Sequence, residues 1–597
     1  MRNAETILTV IRERGKQGLP LERIYRLLFN RELFLLAYGR IAKNSGALTP
    51  GVTAETADGM TMAKIDAIIE ALRFERYRWT PARRIYIEKK DSKKKRPLGL
   101  PTWSDKLVQE VIRLILDAYY EPQFSDHSHG FRTGRGCHTA LKEVYYNWRA
   151  TAWFIEGDIS RCFDALDHEV LLGILREKLH DERFLRLLDE LLRAGYFEEW
   201  RFNATLSGVP QGGVASPVLA NIYLDRLDRF VEQVLFPAYN RGTHRKDNRA
   251  YHRLMWAAQA YRKRGDCVTA ATLMRRAQQM PSKDPDDPGY RRLRYVRYAD
   301  DFLLAFSGPR TEAEEIKAKI GEFLRDTLKL ELSAAKTLIS HARTEAARFL
   351  GYEVTILQND RKHTRGRRSI NGAVGLKVPD AVIQEKCRPY MDNGIPTHRK
   401  ALTHNDAFSI IAQYQNEYVG VVNYYRLAFN LHRLARLRWT TETSLVKTLA
   451  NKYKASAHQM YRRFETTVGT PDGPRKVLRV VVERDGGRSP LVAVWGGVSL
   501  KWRMDAILDD QPQPSWSTTR TELLERLLAD TCELCGSQED VQVHHIRKLR
   551  HLERRGRAPK PEWVRVMAAR HRKTLVVCRP CHARIDHGLP LPHGNAK

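Results

Sequence analysis

Apolar positions along the chain change their period several times, and each change marks a boundary. From residue 1 to about 75 they recur at helical spacing around the Gly- and Pro-bearing loop "NSGALTPGVTAET". From Trp79 to Val354 strand-like and helical patterns alternate: "RRIYIEKK", a turn at "DSKK", the helical run "DKLVQEVIRLILDAYY", then the strand-like "AWFIEGDI". Such mixing predicts a large α+β domain. Inside it, residues from about 240 to 290 read as a basic helical insertion closed by the connector "MPSKDPDDPGY", with a surface turned either to RNA or to plain solvent. Residues from about 375 to 470 return to helical spacing, and Tyr414, Tyr418, Tyr424 and Tyr425 fall where core residues fall more often than base-stacking ones. "VLRVVVER" and "PLVAVWGGVSLKW" predict strands, and "QPQPSWSTTR" predicts a linker into a cysteine-bearing final domain.

One interruption of this pattern carries chemistry. "RYVRYADDFLLAF" sets Asp300 and Asp301 at the turn between two core-like strands. Asp is a good turn residue, which is one reading. Adjacent carboxylates also repel and raise each other's pKa unless a cation, usually a hard divalent metal, lies between them. A third carboxylate, Asp158 of "WFIEGDISRCFDALDH", follows a short apolar strand that reaches the same place if the two strands pair. Three carboxylates around a pair of Mg²⁺ ions about 3.5 to 4 Å apart suit phosphoryl transfer, where the protein mainly positions groups and neutralises charge. Phe163, just beyond, reads either as a ring excluding a ribose 2′ hydroxyl or as a core residue. In "GVPQGGVASPVLANIYLDRLDRF", Gly212 and Gly213 permit close backbone approach or cap a helix, whose apolar face runs through Val218, Ile222, Leu227, Phe230 and Val234.

Charge narrows the partners. There are 101 Lys and Arg against 70 Asp and Glu, a formal charge of +31 and a sequence pI near 9.8. Nucleic acid is the leading polyanion, since phosphate neutralisation rewards dispersed cations. A membrane surface is the rival, but no apolar run is long enough to span a bilayer and the basic residues follow no single amphipathic helix. The start, "MRNAETILTVIRERGKQG", carries Glu5 and Glu13, so it reads as an ordinary first helix rather than a transit peptide. Four cysteines, Cys137, Cys162, Cys267 and Cys387, are scattered, while Cys532/Cys535 and Cys578/Cys581 form two Cys-x-x-Cys pairs. This usage suits a reducing cytosol and a bound metal.

Together these motifs resemble the group II intron-encoded reverse transcriptases and maturases over nearly the whole length. The resemblance rests on "ARRIYIEKKDSKKKRPLGLPTWSDKLVQ", "HSHGFRTGRGCHTAL", "GDISRCFD", "GVPQGGVASPVLANIYL", "YADDFL", "LELSAAKTLISH" and "RFLGYEV" in the family's order, then "NYYRLAFN" and "SLVKTLANKYK". It implies a multidomain α+β protein: a right-hand reverse transcriptase with fingers and palm (76–360) after an N-terminal RNA-binding extension (1–75). A helical thumb or maturase region (375–470) and a DNA-binding region with linker (471–530) follow. It further implies that Asp158, Asp300 and Asp301 are catalytic Mg²⁺ ligands, Phe163 the sugar gate, Gln211 a contact near the incoming nucleotide, and Lys89 and Arg96 holders of its triphosphate. The implied partners are a group II intron RNA, target DNA and deoxynucleoside triphosphates, in a bacterial cytosol.

The last domain (531–597) resembles the HNH nuclease module in its ββα-metal form. The implied assignments are a structural Zn²⁺ on the four thiolates of Cys532, Cys535, Cys578 and Cys581, a catalytic Mg²⁺ or Mn²⁺ on His544 and His582, and His545 as general base. The last ligand is Asp586 or His587. A purely structural zinc domain is the alternative. The wider HNH pattern has Asn where Lys573 stands and His where Asp586 stands. For the whole chain, the rival readings are a retron or defence-type reverse transcriptase and a catalytically idle RNA-binding splicing factor.

Overall fold

A computed structural model describes residues 3–44, 46–88, 95–198, 201–203, 205, 207–208, 212–284, 287–334, 336–359, 363–364, 367–368, 370–483, 490–508, 526–545, 574–587 and 589. At its centre is a four-stranded antiparallel sheet of β1 (Trp153–Asp158), β2 (Arg292–Tyr298), β3 (Asp301–Ser307) and β4 (Ile339–His341), in the order β4-β1-β3-β2. After Asp301 every residue of β3 is buried, which explains its unbroken apolar run. Alternation then divides β3 between two cores. Phe302, Leu304 and Phe306 face the first, while Leu303 and Ala305 face the second.

The first core gathers α1 (Ala4–Lys16), α2 (Trp103–Tyr120) and α3 (Ser216–Phe230). In α1 the buried Ile7, Leu8 and Ile11 keep helical spacing. Thr102 caps α2 by accepting the Asp105 N–H at 3.2 Å. The second core gathers α4 (Ala407–Tyr424) and α5 (Ala435–Tyr453) with a sheet of Glu465–Thr470, Gly473–Val482 and Leu491–Gly496. Tyr414 and Tyr418 are core residues, and Trp495 lies 5.9 Å from Tyr418 between ring centres. Beside the central sheet, a second four-stranded sheet pairs Lys95–Leu100, Ala82–Glu88, Tyr196–Glu198 and Arg201–Asn203 in that order. The basic insertion is a helical hairpin of Arg249–Lys263 and Cys267–Gln278, and Trp256 stands 68% exposed on it.

Val234 does not continue the apolar face of α3. The chain passes into a π-helical turn over Val231–Leu235, whose extra residue rotates the face, so Leu235 is buried and Val234 is exposed.

The C-terminal module is β5 (Val541–His545) paired antiparallel with β6 (Thr574–Cys578), followed by α6 (Arg579–His587). It is docked on the rest of the chain. Val541, Val543 and Val576 lie within the first core, and the Gly59 N–H donates to the Val543 carbonyl at 2.8 Å.

One buried ion pair ties the central sheet to its surroundings. Arg297 of β2 and Asp228 of α3 are both fully buried, and the guanidinium meets both carboxylate oxygens at 2.7 and 2.6 Å. It also donates to the Ala299 carbonyl at 2.9 Å and to Ser128 Oγ at 2.9 Å. Removing one partner of such a pair strands the other charge away from water. Arg297→Met is therefore expected to lower stability by about 3–5 kcal/mol. Arg297→Met with Asp228→Asn, which keeps an acceptor for the Tyr295 hydroxyl, should lose less, and denaturant titration of both variants measures the difference.

Candidate functional site

Strand register brings the carboxylates together. Asp158 ends β1, Asp301 opens β3, and the two are cross-strand partners. Asp300 sits at the hairpin tip after Ala299, whose φ is +56°. Behind them Gly157 has no side chain because a Cβ there would lie 2.1 Å from the Phe302 ring. All three carboxylates face a cleft of about 1000 Å³ whose walls include Arg96, Phe163, Gly212, Gly213 and Lys336. Gly212 has φ +101°, and a Cβ there would meet the Gly99 carbonyl at 2.6 Å, so backbone approach requires the glycine. Phe163 is half-buried, edge-on to Phe131 at 6.3 Å, and so serves both as core and as cleft wall.

The electrostatics favour a cation. Desolvation, followed by the Asp158 charge, raises Asp300, while Arg96 and Lys336 oppose the shift. Asp301 reaches water, yet the cleft walls desolvate it, and with repulsion from Asp300 and Asp158 its pKa rises to about 7. Lys336 Nζ lies 3.0 and 2.9 Å from the two oxygens of Asp158 and answers part of this charge. Three converging carboxylates in which one is driven toward neutrality fit divalent ions, which would restore the charged form.

Two further donor clusters lie in the docked C-terminal module. The ligand atoms of Cys532, Cys535, Cys578 and Cys581 all fall within 4.8 Å of one another. Cys535 Sγ and Cys578 Sγ are 3.6 Å apart, far beyond a disulfide. That separation is close to the roughly 3.8 Å edge of a zinc tetrathiolate with 2.3 Å bonds. Burial and the neighbouring sulfurs raise Cys581, so the four suit a dication that stabilises thiolates.

The second cluster joins His544, His582 and Asp586 with Asp58, which reaches in from the N-terminal region. Asp58 Oδ2 is 3.3 Å from His582 Nε2, and Asp58 Oδ1 accepts the His545 backbone N–H at 2.7 Å. Burial lowers His545 to about 4, which keeps its imidazole in the neutral form near pH 7. His587 is exposed, and it is Asp586 that joins the two histidines.

Three segments of the chain match known families. Residues 87–354 match the family described as reverse transcriptase (RNA-dependent DNA polymerase), 380–479 the type II intron maturase, and 532–582 the AI2M/AI1M-like HNH endonuclease. The chain is 36% identical to the group II intron-encoded protein LtrA of Lactococcus lactis subsp. cremoris, covering 95% of this chain and 96% of that one. The chain belongs to the group II intron-encoded reverse transcriptase and maturase family. It is 32% identical to the 91 kDa protein in the cob intron of Schizosaccharomyces pombe and 30% identical to the putative COX1/OXI3 intron 1 protein of Saccharomyces cerevisiae. These matches cover 96% and 94% of this chain and 71% and 68% of the relatives. This group II intron-encoded protein is thus an RNA-directed DNA polymerase with an HNH endonuclease domain. Among its described residues no helix is long and apolar enough to cross a membrane.

Of the residues singled out in the sequence, the fold of this intron-encoded protein gathers Asp158, Phe163, Asp300, Asp301 and Arg96 around one cleft, and the four cysteines in one cluster. Lys89, Gln211 and Lys573 lie outside the described residues, as does the linker at 511–520. Two charged residues escaped the sequence reading. Lys336 lies inside "LELSAAKTLISH" with nothing in its spacing to mark it. Asp58 sits in "TADGM", where Asp-Gly reads as a turn.

A pH dependence follows from Asp301. Its raised pKa means that below about pH 7 a proton occupies a group that would serve a divalent ion as ligand. Mg²⁺ affinity, and with it primer extension at limiting Mg²⁺, should rise with pH through about 7. The midpoint should move lower as Mg²⁺ is raised, which initial rates of extension across a pH and Mg²⁺ grid will measure.

Proposed function

We propose that the protein copies its intron RNA into DNA from a primer made by its own nuclease, and assists splicing of that RNA. The observation that carries the polymerase half is the convergence of Asp158, Asp300 and Asp301 on one cationic cleft. In this reading the central sheet is the palm, the sheet containing Ala82–Glu88 and Lys95–Leu100 belongs to the fingers, and α4 and α5 form the thumb or maturase region. Residues 1–75 are the RNA-binding extension, and 471–530 the DNA-binding region and linker. The partners are intron RNA, target DNA and deoxynucleoside triphosphates.

Asp158, Asp300 and Asp301 would hold two Mg²⁺ ions, which supply activation of a 3′ hydroxyl and stabilisation of the leaving pyrophosphate. Lys336 must leave Asp158 for that carboxylate to bind metal, and its ammonium then becomes available to phosphate oxygens in the same cleft. Arg96 faces the same space and is suited to a triphosphate, with Lys89 and Gln211 assigned beside the nucleotide by family resemblance. Phe163 excludes a 2′ hydroxyl by bulk alone.

In the C-terminal module the four cysteines would hold Zn²⁺ as a structural ion. His544, His582 and Asp586 would hold Mg²⁺ or Mn²⁺, and His545 takes the proton of the attacking water. The domain match to HNH endonucleases favours this over a purely structural zinc domain, and the maturase match favours an intron-encoded protein over a retron-type enzyme.

The two chemistries should separate by mutation. Asp300→Ala is expected to abolish primer extension, by a factor of at least about 10³, while leaving intron RNA binding and DNA nicking in place. His545→Ala should abolish nicking and leave extension of a pre-annealed primer at the parent rate. Near-parental extension by Asp300→Ala would sink the assignment and favour an idle splicing factor. Phe163→Ala should raise ribonucleotide incorporation relative to deoxyribonucleotide, and unchanged discrimination in single-nucleotide assays would return Phe163 to a purely packing role.

A further inference from the structure

The N-terminal region places one carboxylate where the nuclease has its ligands. Asp58, His544, His582 and Asp586 offer ligand atoms that all lie within 4.8 Å of one another. Asp58 is separated from His545 by 487 positions in sequence, so no local pattern of the C-terminal module includes it.

The contact is built on both sides. Flanking Ala57 and Met60 are completely buried in the first core, and the Ala57 N–H donates to the Ala47 carbonyl at 3.0 Å. The Trp103 indole N–H points at the Met60 sulfur at 3.4 Å. Met60 and Val543 then pair as an antiparallel bridge, with the Val543 N–H donating to the Met60 carbonyl at 3.0 Å. Asp58 is therefore presented from rigid backbone, at a fixed height against β5. His545 adds an independent sign. Its side chain is only 6% exposed, lies 4.0 Å from Asp58, and has both ring nitrogens without a hydrogen-bond partner among the described residues. Burying two such nitrogens is costly unless the site is completed by a group that they serve.

We propose that the nuclease metal centre is composite: Asp58 is a ligand of the HNH ion, so the N-terminal region is part of the nuclease active site. This rests on the nuclease reading above and deepens it. With Asp58 the donor set is two imidazoles and two carboxylates, whose charge matches a divalent cation and whose oxygen share suits Mg²⁺ or Mn²⁺. Asp586 stands where the wider HNH pattern has a histidine, and a second carboxylate compensates for the weaker hold of one exposed acid.

The test uses the full-length chain carrying Asp158→Asn and Asp301→Asn, which leaves the nuclease centre as the Mn²⁺ site to be read by electron paramagnetic resonance. Asp58→Asn keeps the shape of the side chain and an acceptor for the His545 N–H. It is expected to weaken Mn²⁺ binding by about tenfold or more. Bound zinc should stay at the parent level, reporting a folded module. In the otherwise unmodified chain the same substitution should slow nicking, with partial recovery at high Mn²⁺, and leave primer extension unchanged. His544→Ala, measured in parallel, separates the two claims. If it abolishes the Mn²⁺ site while Asp58→Asn leaves affinity unchanged, the composite site is refuted and the nuclease reading survives. If neither moves Mn²⁺ binding, the nuclease reading itself falls and takes this one with it. Faster nicking by Asp58→Asn would also overturn the proposal, because Asp58 would then be a plug rather than a ligand.

Discussion

The fold depends most on a charge that water never reaches. Arg297 is held by Asp228, Ser128 and the Ala299 carbonyl, and so connects β2, α3, the loop that follows α2 and the tip of the β2–β3 hairpin through one planar group. Its five donors in a rigid fork suit this task better than an ammonium would. Buried ion pairs add little stability relative to apolar packing, but this one fixes a geometry through its fork of hydrogen bonds. Here the geometry specified is that of Asp300, three residues further along the chain.

Rigidity behind the carboxylates makes sense of the sheet's two cores. β3 is clamped on one face by Phe302, Leu304 and Phe306 and on the other by Leu303 and Ala305, so the hairpin has little freedom to relieve the repulsion among Asp158, Asp300 and Asp301. Desolvation together with this repulsion raises the pKa of Asp301, and the concentrated negative charge draws Lys336 onto Asp158. The three carboxylates are thus already converged, and the release of Asp158 by Lys336 is the rearrangement that metal binding there would require.

What the sequence disclosed and what it concealed divide by range. The Asp-Asp hairpin, the strand ending at Asp158 and the two Cys-x-x-Cys pairs were readable because each is written in a few adjacent residues. The tyrosines of α4 kept helical spacing, and their core placement followed. Val234 misled because a π turn shifts the face within one helix and leaves no composition signal. Lys336 and Asp58 were hidden for another reason: a single charged residue in a polar stretch has no pattern, and only tertiary approach across 178 residues in one case and 487 in the other gives it a partner. Even Arg297 looked like any other basic residue in "RYVRYADD", although it is the one placed in the interior.

The bridge between Met60 and Val543 bears on how the protein is made. On the ribosome the N-terminal portion emerges first and domains generally fold in that order. The other contacts that seat the segment around Asp58, from Ala57 to Ala47 and from Trp103 to Met60, are therefore all available before β5 has been synthesised. The newly made hairpin meets that segment through the bridge between Met60 and Val543. The nuclease hairpin is in this sense placed by the chain's own earlier product.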